Sequence, residues 1–366
     1  MRSLSLNLAL LLAMVATNLL SFYHLSTILT TQPTSTPTPD HLLHRLTTIK
    51  STIAHLTRHR PHATSPSIPA DLLLYSRLSP IASSCHSSPD LLHSYMSYTP
   101  FSLCPPNSTR LAEALIVRGC HPLPRRRCFS LTPSTIPSSL PHLPFPSSLP
   151  DSHVIWSNYP PCKSFSCSSL QDPSLGFHMR TEMARFMNEN TNLDLPIPHL
   201  IRIAKEFNSP IRLGMDIGGN TGTFAGKMKM YNATVVTTTM NFNFPNSEAV
   251  AGRGLVPIHV PLQQRLPVFD GVLDFVRCGR AVNRWIPFVV LEFLLFDVDR
   301  VLRGGGFLLL DRFFSKREDM VSVYMPLIEK LQYKKIKWAV NNKTVAGDKI
   351  PSDVYLTALL QKPVKR

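Results

Sequence analysis

Apolar and polar positions in the C-terminal half of the chain switch between a helical period and a strand period, and the switches mark out its elements. In PIPHLIRIAKEF, residues 196–207, Ile197, Leu200, Ile201 and Ala204 recur at helical spacing and predict an amphipathic helix. The apolar run from Ile211 to Ile217 predicts a strand, and a GGNTG turn leads from it into a helix predicted over Thr221 to Met230. The β-branched ATVVTTTM (233–240), LVPIHV (255–260) and LDFVRC, opening at Leu273, predict the second, third and fourth strands. IPFVVLEFLLFDVDRVL (286–302) predicts a long apolar helix, RGGG a turn, and FLLLD (307–311) a fifth strand. A helix over 319–331 and two strands, KIKWAV and DVYLTALL, close the pattern. This alternation predicts an α/β fold, a mostly parallel, doubly wound seven-stranded sheet with helices on both faces and ligands at the carboxyl ends of the strands.

The N-terminal half reads differently. From Leu4 to Tyr23 there is no charged residue, and Arg2 precedes the run. About 20 such residues can cross a bilayer, whereas a cleaved signal has an apolar core of roughly 7 to 15, so a transmembrane signal anchor is expected over residues 1–25. TTQPTSTPTPD, residues 30–40, cannot pack a core and predicts an extended stem. Beyond it Leu42, Leu46, Ile49, Ile53 and Leu56 step by 4, 3, 4 and 3, a two-heptad seam. The seam fits either a homo- or hetero-oligomer formed through the stem or a helix packed on its own domain. The 33 prolines crowd before about residue 200. The expected division is therefore anchor (1–25), Thr/Pro-rich stem with its short amphipathic helix (26–65), Cys/Pro-rich accessory region (66–190) and a regular domain (191–366).

Charge and cysteines narrow the setting. The formal net charge is +15, yet the basic residues are scattered and the one tight run is Arg125–Arg127, without zinc-finger spacing, an aromatic string or a basic helix. Nucleic-acid binding is therefore not expected, nor is a metal site; an acidic or neutral glycan remains a fitting partner. Six of the seven cysteines (Cys85, Cys104, Cys120, Cys128, Cys162, Cys167) lie in the accessory region, enough for three disulfides of open connectivity in an oxidising lumen. Sequons at Asn107, Asn232 and Asn342 agree with that side of the membrane. Anchor, stem and lumenal head make the layout of a single-pass type II Golgi membrane protein.

The chemistry centres on LGMDIGGNTGTFAG, residues 213–226. Glycines at 218, 219 and 222 allow a sharp turn and a close backbone approach to a ligand. The order D-x-G-G-N-x-G is not the dinucleotide fingerprint, no acid follows the second strand, and no Walker A lysine is present. D-x-G-x-x-x-G after the first strand, LPVFDGVLDFV before the fourth and RVLRGGGF before the fifth together resemble the Rossmann-like class I S-adenosylmethionine-dependent methyltransferases. Residues 193–363 are more closely similar to plant type 11 methyltransferases that carry an N-terminal membrane anchor. GCHPLPRRRC and the Trp156–Asn158 stretch resemble, more distantly, plant Golgi pectin methyltransferases.

The resemblance implies S-adenosylmethionine as cofactor, with Asp216, Gly218, Gly219, Asn220 and Gly222 around its methionine end. Asn241 stands where the family has its ribose-binding acid, and Leu262, in the end of the third strand over Val260–Gln263, would face the adenine. Asp274 matches a structural acid. Arg277, Arg280 and Arg312, with Asp311 beside them, are candidates to hold an anionic acceptor. No catalytic residue is assigned, because a carboxylate acceptor needs no general base, whereas a hydroxyl acceptor would need one. His259 reads as a packed or capped histidine and Cys278 as a buried thiol. The expected function is O-methylation of a cell-wall polysaccharide or other glycan. Asn220 and Asn241, which depart from the family pattern, support an alternative, a non-catalytic methyltransferase-like scaffold protein of the Golgi.

Overall fold

A computed structural model describes residues 14–21, 23, 24, 46, 49, 83–132, 144–146, 148–167, 179–241, 244–342 and 353–364. The chain divides into two units, Met1–Leu78 and Ser79–Arg366. In the first, residues 14–21, 23 and 24 of the expected anchor are helical and exposed, as are Leu46 and Ile49 of the seam. The rest of the anchor and seam, and the whole Thr/Pro stem, lie outside the described residues. Among the described residues no helix is long and apolar enough to cross a membrane, so the expected transmembrane helix is not found among them.

The second unit opens with the accessory region, which is more ordered than its prolines suggest. Helices α1 (Pro89–Met96) and α2 (Ser108–Val117) pack Tyr95 and Leu115 against a Cys85–Cys120 disulfide. Cys104–Cys128 and Cys162–Cys167 complete the three pairs that the sequence left open. Further on, Leu149, Val154, Tyr159 and Phe165 form a small core with Phe244 and Ala249. Helix α3 (Met179–Ala184) leads into the regular domain.

There the elements run α4 (Ile197–Glu206), β1 (Leu213–Ile217), α5 (Thr223–Lys229), β2 (Thr234–Thr238), α6 (Asn246–Gly252), β3 (Val256–Ile258), β4 (Leu273–Cys278), α7 (Phe288–Val301) and β5 (Leu302–Lys316). α8 (Arg317–Asp319), a π-helical turn (Met320–Tyr324) and α9 (Met325–Glu329) take the place of the single helix expected there, and β6 (Lys334–Asn342) and β7 (Asp353–Gln361) close the domain. The seven strands lie in the order β3-β2-β1-β4-β5-β7-β6, with β1 to β5 parallel and β7 antiparallel to both its neighbours. This is the arrangement the resemblance implies.

Each central strand alternates between two cores. Met215, Ile217, Val276, Leu308 and Leu310 face α7, the π-helical turn and α9, while Phe275, Phe307 and Leu309 face α4 and α5. Pro257, which has no N–H to donate, is tolerated in β3 because β3 is an edge. RGGG turns the chain within β5 rather than before it: Leu302 pairs with Leu273 and Phe307 with Phe275, so the segment bulges out with Gly305 at φ +78°, and Gly305 and Gly306 exchange backbone hydrogen bonds with Lys362. A Cβ on Gly304 would lie 2.8 Å from the Val364 carbonyl oxygen, which is why small residues stand there.

Candidate active site

Strand register alone brings three charges together. Asp216 of β1 is the pairing partner of Arg277 in β4, and Arg277 that of Leu309 in β5, so Asp216, Arg277 and Asp311 share one face of three adjacent strands. Arg277 Nη1 donates to Asp216 Oδ1 at 2.6 Å, and its Nε and Nη2 donate to Asp311 Oδ2 at 2.9 and 2.5 Å. The guanidinium also lies over the rings of Phe186 and Phe224, at 4.8 and 4.9 Å from their centroids. Burial works against the Arg277 charge, but the two carboxylates outweigh it and raise its pKa. Asp216 is fully buried, and that burial raises its pKa despite Arg277, with Asp311 adding to the rise. Its Oδ2 is buried without a hydrogen-bond partner.

Above this network the turn 218–222 crosses from β1 to α5. The Gly218 amide donates to Thr238 Oγ1 at 3.0 Å and the Gly219 amide to the Thr238 carbonyl at 3.1 Å. The amides of Asn220 and Thr221 make no hydrogen bond among the described residues. Asn220 takes φ +54°, a left-handed conformation that asparagine tolerates. A cavity of about 970 Å³ opens at this end of the sheet, floored by the turn and bounded by the ends of β2, β4 and β5 and by the loop after β3. That is the position at which doubly wound sheets bind ligands.

The sequence-derived candidates divide on inspection. Gly218, Gly219, Asn220, Leu262, Arg277, Arg280 and Arg312 all line the cavity. Asp216 lies beneath the turn, tied to Arg277, and Gly222 caps α5 against Val250 of α6. Asn241 does not reach the cavity wall: its Nδ2 donates to Tyr159 Oη at 2.9 Å and to Glu248 Oε2 at 2.7 Å, and its Oδ1 accepts from the Ser247 amide. Its place at the wall is taken by Asn246, which the sequence reading missed. Asn246 Nδ2 donates to the Met240 carbonyl, and its Oδ1 is buried without a partner beside the cavity. The signal that could have found it is the NSEAVAG run, an asparagine opening a short helix just past the second strand.

The arginines are unequal. Arg277 uses its charge within the sheet, where it bridges Asp216 and Asp311 instead of standing free for a substrate anion. Arg312, at φ +57° in a bulge of β5, pairs with Asp194. Arg280 has no carboxylate partner among the described residues, and partial desolvation followed by the charges of Arg185 and Arg312 lowers its pKa. Asp274 is structural, as expected: its Oδ2 accepts the amides of Arg212 and Leu213 at 2.8 and 2.9 Å, and its Oδ1 pairs with Arg303. Cys278 is a buried thiol whose pKa is pushed up to about 12 by burial.

The accessory region supplies part of the wall. Val117 of α2 lines the cavity, Gln263 Nε2 donates to its carbonyl, Gln264 Nε2 meets His121 Nδ1 at 2.9 Å, and His259 Nε2 meets Glu113 Oε1 at 2.7 Å. His259 is thus the packed histidine expected from the sequence. The hydrogen bond to Glu113 raises its pKa against partial burial. Its contribution to stability is fully present below the unfolded histidine value near 6.5 and is lost as pH rises through the raised folded value. Glu113→Gln should therefore cost about 1 kcal/mol at pH 6 and progressively less towards pH 8.5, measured by urea unfolding. An equal cost at both pH values would remove the ionic role of the pair.

No protein-family model matches the chain. Among solved structures, a SAM-dependent methyltransferase from Archaeoglobus fulgidus aligns over 44% of this chain and 91% of its own, at 12% identity and a TM-score of 0.31. The N-methyltransferase NodS from Bradyrhizobium japonicum aligns over 45% and 93%, at 13% identity and a TM-score of 0.33. In sequence, the chain is 57% identical over 388 residues to an Arabidopsis thaliana protein named as a probable methyltransferase, an alignment covering 100% of this chain and 99% of the relative. Identity at that level along both full lengths places the chain in the family of that plant methyltransferase.

Proposed function

We propose that the protein transfers a methyl group from S-adenosylmethionine to the carboxylate of an acidic glycan within the secretory pathway, as a type II membrane protein of the Golgi. The observation that carries this reading is the cavity, with a glycine turn at its floor and Arg280 on its wall. The cofactor fits the residues present. Gly218 and Gly219 let the turn lie tight against the protein, where a Cβ would fall 2.4 Å from Ala281 Cβ or Asp216 Oδ2, respectively, so that bare backbone floors the cavity. The free amides of Asn220 and Thr221 suit the cofactor's carboxylate, and the Asp216–Arg277–Asp311 network, with one more acid than base, suits its cationic end. Asn246 Oδ1 would accept from a ribose hydroxyl, and Leu262 would cover the adenine.

S-adenosylmethionine supplies a methyl group that is already activated. The chain's part is to align the acceptor with it and to exclude water. Arg280 can hold and orient an acceptor carboxylate, which is ionised at neutral pH and requires no base. Three disulfides and the exposure of the sequon residues Asn107, Asn232 and Asn342 support a lumenal setting. The basic net charge supports an acidic acceptor.

The test is transfer of a labelled methyl group by the full-length protein in detergent to a de-esterified acidic wall polysaccharide, with a neutral polysaccharide alongside. Arg280→Gln should raise KM for the acidic acceptor about tenfold while leaving cofactor affinity unchanged. Transfer only to the neutral polymer, or an unchanged KM, would overturn the carboxylate assignment. A second reading, a non-catalytic scaffold, draws on one observation: Asn241 is turned away from the cavity. Absence of cofactor binding at millimolar S-adenosylmethionine would decide for it.

A further inference from the structure

Helix α7 has two apolar faces. One is the buried row Leu291, Leu294, Leu295 and Val298 against the sheet. The other points outward: the exposed residues of α7 are Phe288, Val289, Phe293 and Phe296, with Trp285 just before the helix. Phe293 is 73% and Trp285 71% exposed. Val289, Phe293 and Phe296 stand at i, i+4 and i+7 and form one continuous stripe. The charged residues of the helix are all half-buried and met from within the chain: Glu292 by Lys330, Asp297 by Arg300, Arg300 by Asp270, and Asp299 by Tyr333. A solvated surface helix shows the reverse pattern.

We propose that this face is a homodimer interface, in which α7 packs antiparallel against α7 of a second copy about a two-fold axis passing near Phe293. Three features favour a second copy as the occupant. The stripe runs from Trp285 to Phe296 with Phe293 near the middle of the helix, so a two-fold axis there sets Val289 opposite Phe296 in both directions, as a self-complementary contact demands. Its five side chains carry no charge, and the cation beside the stripe, the Arg284 guanidinium stacked 4.7 Å from the Trp285 ring centroid, lies at the end away from the axis. Its five side chains expose on the order of 600 Å² per copy, near the roughly 800 Å² per partner of a standard interface once a polar rim is added.

The test uses the full-length protein in a non-ionic detergent. Sedimentation should show a concentration-dependent dimer, and Phe293→Glu should weaken its association at least tenfold with no change in circular dichroism or thermal midpoint. Phe293→Cys should join two copies through residue 293 with a short bismaleimide, since the one native free thiol, Cys278, is buried. A monomer throughout the range up to roughly 100 µM would overturn the proposal. So would a dimer that Phe293→Glu leaves intact, or an environment-sensitive dye at position 293 that responds to phosphatidylcholine vesicles and not to protein concentration, which would mark a membrane-facing patch.

Discussion

Gly219→Ala is expected to weaken S-adenosylmethionine binding by about a hundredfold or more while the chain stays folded. A Cβ at this position would lie 2.4 Å from Asp216 Oδ2, 2.6 Å from Thr237 Cγ2 and 2.8 Å from Asp216 Cγ. None of these atoms can yield. Asp216 is pinned by Arg277, and Thr237 is fully buried in the neighbouring strand, so the turn itself must rise into the cavity. That lift breaks the Gly219 amide's bond to the Thr238 carbonyl and moves the amides of Asn220 and Thr221, which are the groups a cofactor carboxylate would meet. Overpacking of this kind costs about 1 to 3 kcal/mol of stability, enough to lower the thermal midpoint but not to unfold the domain. Gly252→Ala, whose nearest contact would be an ordinary 3.5 Å from Leu149, serves as the control. Isothermal titration with S-adenosylmethionine reads the outcome. Wild-type affinity in Gly219→Ala would mean that the cofactor does not rest on this turn.

Much of this site could be read from the sequence, and what could not has a common cause. The strands were legible because β-branched and aliphatic runs are bounded by glycine, and the GGNTG turn because only such a sequence leaves a strand so sharply. The RGGG turn was legible as a turn but not as a bulge inside β5, because its glycines also accept a close backbone neighbour, the Lys362–Val364 segment, which is distant in sequence. Asn241 lies just past the second strand, but its side chain answers to Glu248 of α6 and to Tyr159, and the second of these is set by how the accessory region folds back, of which local pattern holds no record. The same holds for the cysteines: their number was readable, their pairing was not. Asp216 and Arg277 were each given separate ligand duties although strand order and register set them face to face. A parallel sheet buried on both faces leaves few places for a charge, so a lone acid and a lone arginine in adjacent central strands are a pairing signal in their own right.

Arg277→Met should be the most destabilising single change at the site, by about 3 to 5 kcal/mol at pH 7.5. The loss is not that of the ion pairs alone. Methionine fills much of the same space between Phe186 and Phe224 but leaves the carboxylates of Asp216 and Asp311 without the one cation between them. Asp216 has no access to water, so its remedy is to bind a proton. Its pKa is already raised by burial with Arg277 present, and removal of Arg277 raises it further. A folded-state pKa above the unfolded one favours the folded chain below the unfolded value and loses that effect as pH rises through the folded value. The deficit of Arg277→Met should therefore shrink as pH falls from 7.5 towards 5, whereas most destabilised variants lose further stability on acidification. Adding Asp216→Asn removes the buried charge outright and should recover at least half of the deficit at pH 7.5, because an amide at that position needs no counter-ion. Urea unfolding of the two variants across this pH range is sufficient. A pH-independent deficit, or a double variant no more stable than Arg277→Met, would show that packing of the Arg277 side chain, rather than its charge, holds the floor of the cavity together.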